Sequence, residues 1–229
     1  MEQRRATVEH WAEELGPTGP GFVICEQLLD TNLTEGIQEE LCSSAVSWVT
    51  SEDSTDQIGN PVTQKFDVFA HKLSYGNQEI LQDLPAFKSL GSLIVKEVVQ
   101  PLSATFPFLK SWEPDEITAQ RYRSQVGELS WHRDLERHPG IIAVSNIYGS
   151  AELGVRQHME TATVTLNEGD VLLLRAPLLF DEQPVGGDVR PQHAVTNILG
   201  SKHRISVTVR ANRYPQRKIK NFYYNNWQL

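Results

Sequence analysis

Two histidines and one aspartate are the residues of this chain best suited to hold a metal ion. One residue separates His132 from Asp134, and His193 follows much later. In a β-strand alternate side chains point to the same face, so His132 and Asp134 would project together. Two imidazoles and one carboxylate on one face of a metal are the ligand set of mononuclear non-haem Fe(II) sites. We therefore predict that His132, Asp134 and His193 bind iron.

A second His-x-acid pair, His158-Met159-Glu160, shows how readily such a pair arises by chance. Taken alone, His132 and Asp134 could equally form a salt bridge on an ordinary strand. The pair at His158 has no cationic strand at a matching offset, whereas the pair at His132 is followed by His193 and then by such a strand. The order of the whole set favours His132 and Asp134.

The cationic strand runs from residue 204 to residue 210 and alternates polar with β-branched apolar residues. Its polar face would be costly to bury without a partner. A dicarboxylate co-substrate would be a suitable partner, because an arginine fork meets a carboxylate in bidentate geometry. The polar face of this strand comprises Arg204, Ser206, Thr208 and Arg210.

The composition is that of a protein with one good hydrophobic core. With 229 residues and 39% hydrophobic content, we expect a single domain over residues 1–229. Within it, residues 1–114 would form N-terminal helical support, residues 115–212 a catalytic core and residues 213–229 a C-terminal tail.

Localisation is predicted from the N-terminus and the cysteines. Residues 1–15 mix charged residues with tryptophan and have no apolar core, so we expect neither a signal peptide nor a membrane anchor. Cys25 and Cys42 are too few for a disulfide framework. We expect a cytoplasmic protein with free thiols and no membrane partner.

Hydrophobic periodicity predicts a mainly β fold with flanking α-helices. Apolar residues at fourfold spacing predict helices over residues 33–50 and 86–104. After residue 115 come eight short strand-like runs separated by turn residues, which is typical of a jelly-roll sandwich. We expect the N-terminal helices to pack on the outside of one sheet. The predicted strands are 117–123, 129–134, 141–148, 153–158, 162–166, 171–175, 192–198 and 204–210.

The ordered motifs resemble the AlkB-type branch of the 2-oxoglutarate, Fe(II)-dependent dioxygenases. The matching segments are 120–122, 127–134, 168–171, His193 and 204–210. The resemblance implies a double-stranded β-helix, with Fe(II), 2-oxoglutarate and O2 as cofactors and co-substrate. It also implies that Arg204 pairs with the distal carboxylate of 2-oxoglutarate, helped by Tyr122 and Ser206. The other 2-oxoglutarate contacts that it implies are Gln120 and, near the keto-acid end, Arg210.

The implied activity is oxidation of a C–H bond, by hydroxylation or oxidative demethylation, with release of succinate and CO2. The net charge of −8 favours a small-molecule or peptide substrate over nucleic acid. Asn146 and Tyr148 share a predicted strand face and could line the mouth of the cavity. The alternatives are an AlkB-like demethylase of alkylated nucleobases and a non-catalytic, cupin-like metabolite-binding protein. The oligomeric state is not predicted.

A basic and aromatic tail is the one feature that favours nucleic acid. Aromatic side chains between cations could stack on the bases of single-stranded nucleic acid and contact its phosphates. We favour the simpler interpretation, a solvated tail whose aromatic residues pack on the domain. The tail residues concerned are Arg213, Tyr214, Arg217, Lys218, Lys220, Phe222, Tyr223 and Tyr224.

Overall fold

Antiparallel strands make up most of the fold. The computed structural model describes residues 2–43, 48–55, 59–69, 73–74, 84–157, 160–180, 190–200 and 203–212. The strands are β1 (Phe22–Cys25), β2 (Trp48–Thr50), β3 (Ser54–Thr55), β4 (Pro61–Val62), β5 (Gln64–Lys65), β6 (Asp67–Phe69), β7 (Leu73–Ser74), β8 (Glu116–Tyr122), β9 (Glu128–His132), β10 (Ile141–Tyr148), β11 (Ser150–Gln157), β12 (Glu160–Leu166), β13 (Val171–Arg175), β14 (Gln192–Leu199) and β15 (Arg204–Arg210).

Two sheets face each other. The large sheet has the order β1-β13-β10-β15-β8-β6-β2, with β7 also paired to β8. The small sheet has the order β12-β11-β14-β9-β5, and β3 pairs with β4 as a separate ribbon. This mostly antiparallel, two-sheet architecture confirms the predicted jelly roll.

Two apolar clusters cover the two faces of the large sheet. Strand β10 contributes Ile142 and Val144 to a cluster shared with the small sheet, and Ile141 and Ala143 to a cluster shared with the helices. Because both faces of β10 are covered, almost all of its residues are buried. The predicted packing of the N-terminal helices on one sheet is therefore confirmed.

The helices are α1 (Glu2–Leu15), α2 (Thr31–Cys42), α3 (Pro85–Ile94) and α4 (Gln100–Leu102), and Val95–Val99 form a π-helical segment between the last two. The helix predicted over 86–104 is thus present, and its backbone is π-helical just before Pro101. The helix predicted over 33–50 ends at Cys42, so the prediction is wrong for Ser43 and for residues 48–50, while residues 44–47 lie outside the described residues. Ser43 adopts an extended conformation, and the aromatic and β-branched residues of β2 pair with β6 instead.

The strands of the core follow the prediction closely. Strands β10, β13 and β15 have the predicted bounds, and the others differ by a few residues at their ends. Sequence periodicity did not predict α1 or the addition of β1, β2, β6 and β7 to the large sheet. The tail, residues 213–229, lies outside the described residues. No helix in the described part of the chain is long and apolar enough to cross a lipid bilayer.

Candidate metal and 2-oxoglutarate site

The three predicted metal ligands lie together at neighbouring strands of the small sheet. His132 ends β9, and His193 on β14 lies directly opposite it. The centroids of the two imidazole rings are 4.2 Å apart. Asp134 follows two residues after His132, past the end of the strand. One potential ligand atom from each of the three side chains lies within 4.8 Å of the other two.

The surroundings of both imidazoles favour metal binding. Nδ1 of His132 lies 2.9 Å from the carbonyl oxygen of Ser130, so this nitrogen carries the proton and donates, which leaves Nε2 as the ligand atom. His193 is buried, and burial, with His132 adding to it, lowers the pKa of His193 to about 3. A neutral imidazole is the form that binds a metal.

Arg210 keeps Asp134 in its charged form. Burial would raise the pKa of the Asp134 carboxyl, but the guanidinium of Arg210 and the nearby imidazoles outweigh burial and hold that pKa well below its usual range. Nη1 of Arg210 lies 2.6 Å from Oδ1 of Asp134. The other carboxylate oxygen, Oδ2, lies 3.4 Å from Nε2 of His193. The two oxygens of Asp134 therefore have different neighbours.

A polar stripe lines the inner face of the large sheet. Cross-strand partners share a face, and Arg204, Ser206, Thr208 and Arg210 lie opposite four residues of β8. One of these partners, Tyr122, belongs to the apolar cluster between the sheets. The polar face predicted for β15 is therefore buried and directed between the two sheets. The β8 partners are, in order, Tyr122, Gln120, Thr118 and Glu116.

Arg204 is a buried cation whose charge is not balanced. Its side chain is among the largest fully buried ones, at 1% exposure. Nε donates to Oδ1 of Asn146 (2.7 Å), but Nη2 has no hydrogen-bond partner. Among the described residues, no carboxylate forms an ion pair with Arg204, and burial lowers its pKa. An anion between the sheets would satisfy this group.

Other polar groups of the stripe are also arranged around Arg204. Tyr122 lies beside the guanidinium, with Cζ of Arg204 5.1 Å from the ring centroid, and its hydroxyl donates to Oε1 of Gln120 (3.1 Å). Burial raises the pKa of Tyr122 to about 12, so the phenol stays protonated. The hydroxyls of Ser206 and Thr118 are buried without hydrogen-bond partners. A ligand between the sheets would supply hydrogen-bond partners for these groups.

Asn146 and Tyr148 do not share a face. A β-bulge between them shifts the register, so that Asn146 lies opposite Ser206 while Tyr148 lies opposite Ile205. Tyr148 consequently packs against the cluster on the helical side. Asn146 instead binds Arg204, and its Nδ2 donates to the carbonyl of Gly149 (2.6 Å). The prediction that alternation aligns the two side chains is wrong.

Two residues near the metal ligands were not predicted. Arg190 donates from Nη1 to the backbone carbonyl of Asp134 (2.6 Å), and Arg133 donates to the carbonyl of Arg190 (2.9 Å). These bonds link the end of β9 to the start of β14. Glu116 was also missed, although its alternation with Thr118, Gln120 and Tyr122 places it on the polar stripe. A small cavity adjoins the ligands, lined by Asp134, Ile142, Leu174, Arg175, Arg190, Pro191 and His193.

The competing His158–Glu160 pair is described only in part. His158 lies outside the described residues, and Glu160 begins the edge strand β12 of the small sheet. Within the described part of the chain, the grouping able to hold a metal is that of His132, Asp134 and His193.

Solved structures with the same fold are 2-oxoglutarate oxygenases. A prolyl hydroxylase from Trichoplax adhaerens, in complex with a hypoxia inducible factor peptide fragment, has a TM-score of 0.62 at 12% identity over 95% of this chain and 96% of its own. The non-heme alpha ketoglutarate dependent epimerase SnoN from nogalamycin biosynthesis has a TM-score of 0.60 at 13% identity over 89% and 81%. A 2OG-Fe(II) oxygenase family protein from Burkholderia pseudomallei has a TM-score of 0.59 at 13% identity over 90% and 91%.

These likenesses are confined to the fold. No protein-family model matches the sequence, and no curated protein matches it either. The chain thus has the jelly-roll fold of 2-oxoglutarate oxygenases, with sequence identities too low to carry an activity across. None of the three is described as an AlkB-type protein.

Proposed function

We propose that this chain is a non-haem Fe(II), 2-oxoglutarate-dependent dioxygenase that oxidises a C–H bond. The observation that carries the proposal is Arg204, a buried guanidinium with an unpartnered Nη2, on the inner wall of a jelly roll that also holds a His-Asp-His cluster. A metal site alone would fit many proteins. The added demand for an anion between the same two sheets favours a dicarboxylate co-substrate.

The donor set suits Fe(II). His132 and His193 would each offer a neutral nitrogen and Asp134 an ionised oxygen, which is the two-histidine, one-carboxylate set of non-haem iron. Three protein ligands leave positions for a co-substrate and O2. The hydrogen bond from His132 to the Ser130 carbonyl would fix that imidazole in its ligating tautomer.

The polar stripe suits 2-oxoglutarate. Arg204 would bind the distal carboxylate, with Ser206 and Tyr122 as neighbours and Gln120 holding the Tyr122 hydroxyl. Arg210 lies at the opposite end of the same strand face, beside Asp134. In this proposal the distal carboxylate binds Arg204 and the keto-acid end is directed towards the triad.

Fe(II), 2-oxoglutarate and O2, when bound, supply an oxidative decarboxylation that yields succinate and CO2 and oxidises a C–H bond. The chain contributes binding and orientation. Arg204 and its neighbours align the co-substrate, and the apolar residues between the sheets exclude water. The triad fixes where the oxidised C–H bond must lie.

The substrate is proposed to be a small molecule or a peptide. The net charge of −8 disfavours a polyanion, and the prolyl hydroxylase of similar fold is described in complex with a peptide. Demethylation of alkylated nucleobases is the second candidate, since the motifs around His132 and Arg204 resemble the AlkB-type branch. A cytoplasmic location and a single domain remain predictions.

The activity is tested by incubating the protein with Fe(II) and 2-oxoglutarate in air and measuring succinate and CO2. We expect succinate from the natural chain and none from Asp134→Ala. A protein that only binds metabolites would retain 2-oxoglutarate without consuming it, and that result would refute the oxygenase.

The substrate class is tested next, by comparing peptide and small-molecule libraries with methylated oligonucleotides for stimulation of succinate release. Stimulation by oligonucleotides that weakens steeply with salt would favour the nucleobase demethylase, because phosphate contacts release counterions. Stimulation by an uncharged peptide or metabolite would favour the first candidate.

A further inference from the structure

A chain of alternating charges extends from the proposed metal site into the protein. Asp134 Oδ1 pairs with Nη1 of Arg210 at 2.6 Å, and Nε of Arg210 lies 3.4 Å from Oε1 of Glu116. Oε2 of Glu116 lies 3.5 Å from Nη2 of Arg137. The side chains of Asp134, Arg210 and Glu116 are 13%, 14% and 6% exposed. These charges are thus held largely away from water, where their mutual attraction is strong.

The sheet itself fixes the position of Glu116. Glu116 on β8 and Arg210 on β15 are direct cross-strand partners, so their side chains lie on the same face at short range. His138 packs against the same carboxylate, with Nε2 4.0 Å from Oε1, while Nδ1 of His138 donates to the carbonyl of Ala211 (3.1 Å). Glu116 is therefore surrounded on several sides and has little freedom to move.

The two oxygens of Asp134 are made unequal by this arrangement. Oδ1 accepts a hydrogen bond from Arg210, whereas Oδ2 faces Nε2 of His193 at 3.4 Å. Oδ2 is therefore the oxygen that faces another potential metal ligand, while Oδ1 is engaged by Arg210.

We propose that Glu116 and Arg210 form a positioning pair for Asp134: Arg210 holds Oδ1 of Asp134, and Glu116 holds Arg210 in place. This inference rests on the proposed function, since it presumes that the triad binds a metal. Glu116 touches neither metal nor co-substrate and acts through Arg210. Partners of this kind typically change metal affinity about 10- to 100-fold when they are removed.

The test compares Glu116→Gln with a matched control, Asp67→Asn. Asp67 is also a buried carboxylate on the large sheet, paired with Arg121 at 2.9 Å and Arg123 at 3.5 Å. Its partners lie on β8 and after it, away from the triad. Both variants neutralise a buried carboxylate that pairs with two arginines, but only Glu116→Gln should disturb the metal site.

The measurement is anaerobic titration with Co(II), a spectroscopic substitute for Fe(II), together with the unfolding midpoint of each variant. We expect Glu116→Gln to weaken Co(II) binding about 10- to 100-fold and to alter the Co(II) visible spectrum. Asp67→Asn should change the midpoint but leave the Co(II) affinity and spectrum as in the natural chain. Arg210→Lys, which keeps the charge without the fork, should weaken Co(II) binding in the same direction.

The outcomes separate this inference from the proposed function. Tight Co(II) binding by the natural chain, with the same affinity and spectrum in Glu116→Gln and Arg210→Lys, would overturn the positioning pair alone. Equal weakening in Asp67→Asn and Glu116→Gln would overturn it too, because the effect would then follow general stability. No Co(II) binding by the natural chain would overturn both proposals.

Discussion

Arg204 and Arg210 lie at opposite ends of the inner face of β15. They differ in whether a carboxylate lies beside the guanidinium. Arg210 lies between Asp134 and Glu116, so its charge is balanced within the fold. Arg204 is buried more deeply, but among the described residues it has no carboxylate partner, and its neighbours are Asn146 and the Tyr122 ring. The contrast teaches that burial alone does not identify a binding group. A buried cation whose partner is missing indicates a ligand, and one with its partners present indicates support.

The largest effect is expected at the proposed metal site, which Arg210 contacts through Asp134. His132→Ala should abolish Fe(II) binding and all succinate formation, because it removes one of three ligands. Metal content and succinate release measure this. His158→Ala is the control and should keep its iron. Loss of iron in the control, with iron retained in His132→Ala, would move the site to the His158–Glu160 pair.

Replacing each arginine with methionine should lower the stability of the fold by very different amounts at the two positions. Arg210→Met leaves Asp134 without its arginine and Glu116 with Arg137 alone, and should lower the free energy of unfolding by about 3–5 kcal/mol. Arg204→Met leaves no carboxylate without a cation. We therefore expect the free energy of unfolding to stay within about 1 kcal/mol of that of the natural chain, because the main loss is one hydrogen bond to Asn146. Denaturant unfolding without 2-oxoglutarate measures both. Equal losses would show that Arg204 has a structural partner.

Acid should weaken the end of the stripe that holds Arg210. Burial, with Arg210 adding to it, lowers the pKa of His138 from 6.5 to about 4. Between about pH 6.5 and pH 4, His138 is therefore protonated in the unfolded chain but neutral in the folded chain. This contribution to stability is present above pH 6.5 and is lost as the pH falls to about 4. The loss amounts to roughly 3 kcal/mol.

The variant His138→Gln checks that assignment. Unfolding of the natural chain and of the variant between pH 7 and pH 4 should show a shallower acid loss in His138→Gln. Parallel curves for the two proteins would place the titration elsewhere, for example at His193, whose pKa is lowered in the same direction.

The smallest of these effects concerns 2-oxoglutarate. Arg204→Ala removes one charge-assisted pair, worth about 2–3 kcal/mol, and should raise the 2-oxoglutarate requirement about 30- to 150-fold. Iron should remain in place, which metal analysis of the same sample verifies. Loss of iron would instead make Arg204 a structural residue.

The sequence predicted the features that depend on local periodicity. Alternation along one strand was enough to place Arg204, Ser206 and Arg210 on one face, and His132 and Asp134 remained together although β9 ends at His132. Sequence periodicity did not predict the features that depend on strand pairing. Periodicity does not reveal that Glu116 is the cross-strand partner of Arg210.

Single-residue irregularities account for the other errors. The bulge after Asn146 turns Tyr148 towards the helices, and a bulge of one residue reverses every later face assignment on a strand. In the N-terminal region, Val49 fits a helical stripe equally well, but its pairing with Val68 places it on a strand. Short apolar patterns leave the choice between helix and strand to tertiary contacts.

The central claim is that the triad binds Fe(II) and that Arg204 binds 2-oxoglutarate beside it. Anaerobic titration with Fe(II) and then 2-oxoglutarate, followed in the visible spectrum, tests this claim most directly. Our account predicts an absorption band when 2-oxoglutarate joins the iron, absent in His132→Ala and shifted to higher 2-oxoglutarate concentration in Arg204→Ala. Admission of air should then yield succinate. No band and no succinate at saturating Fe(II) and 2-oxoglutarate would contradict the account and favour a jelly roll that binds a metabolite without oxidising it.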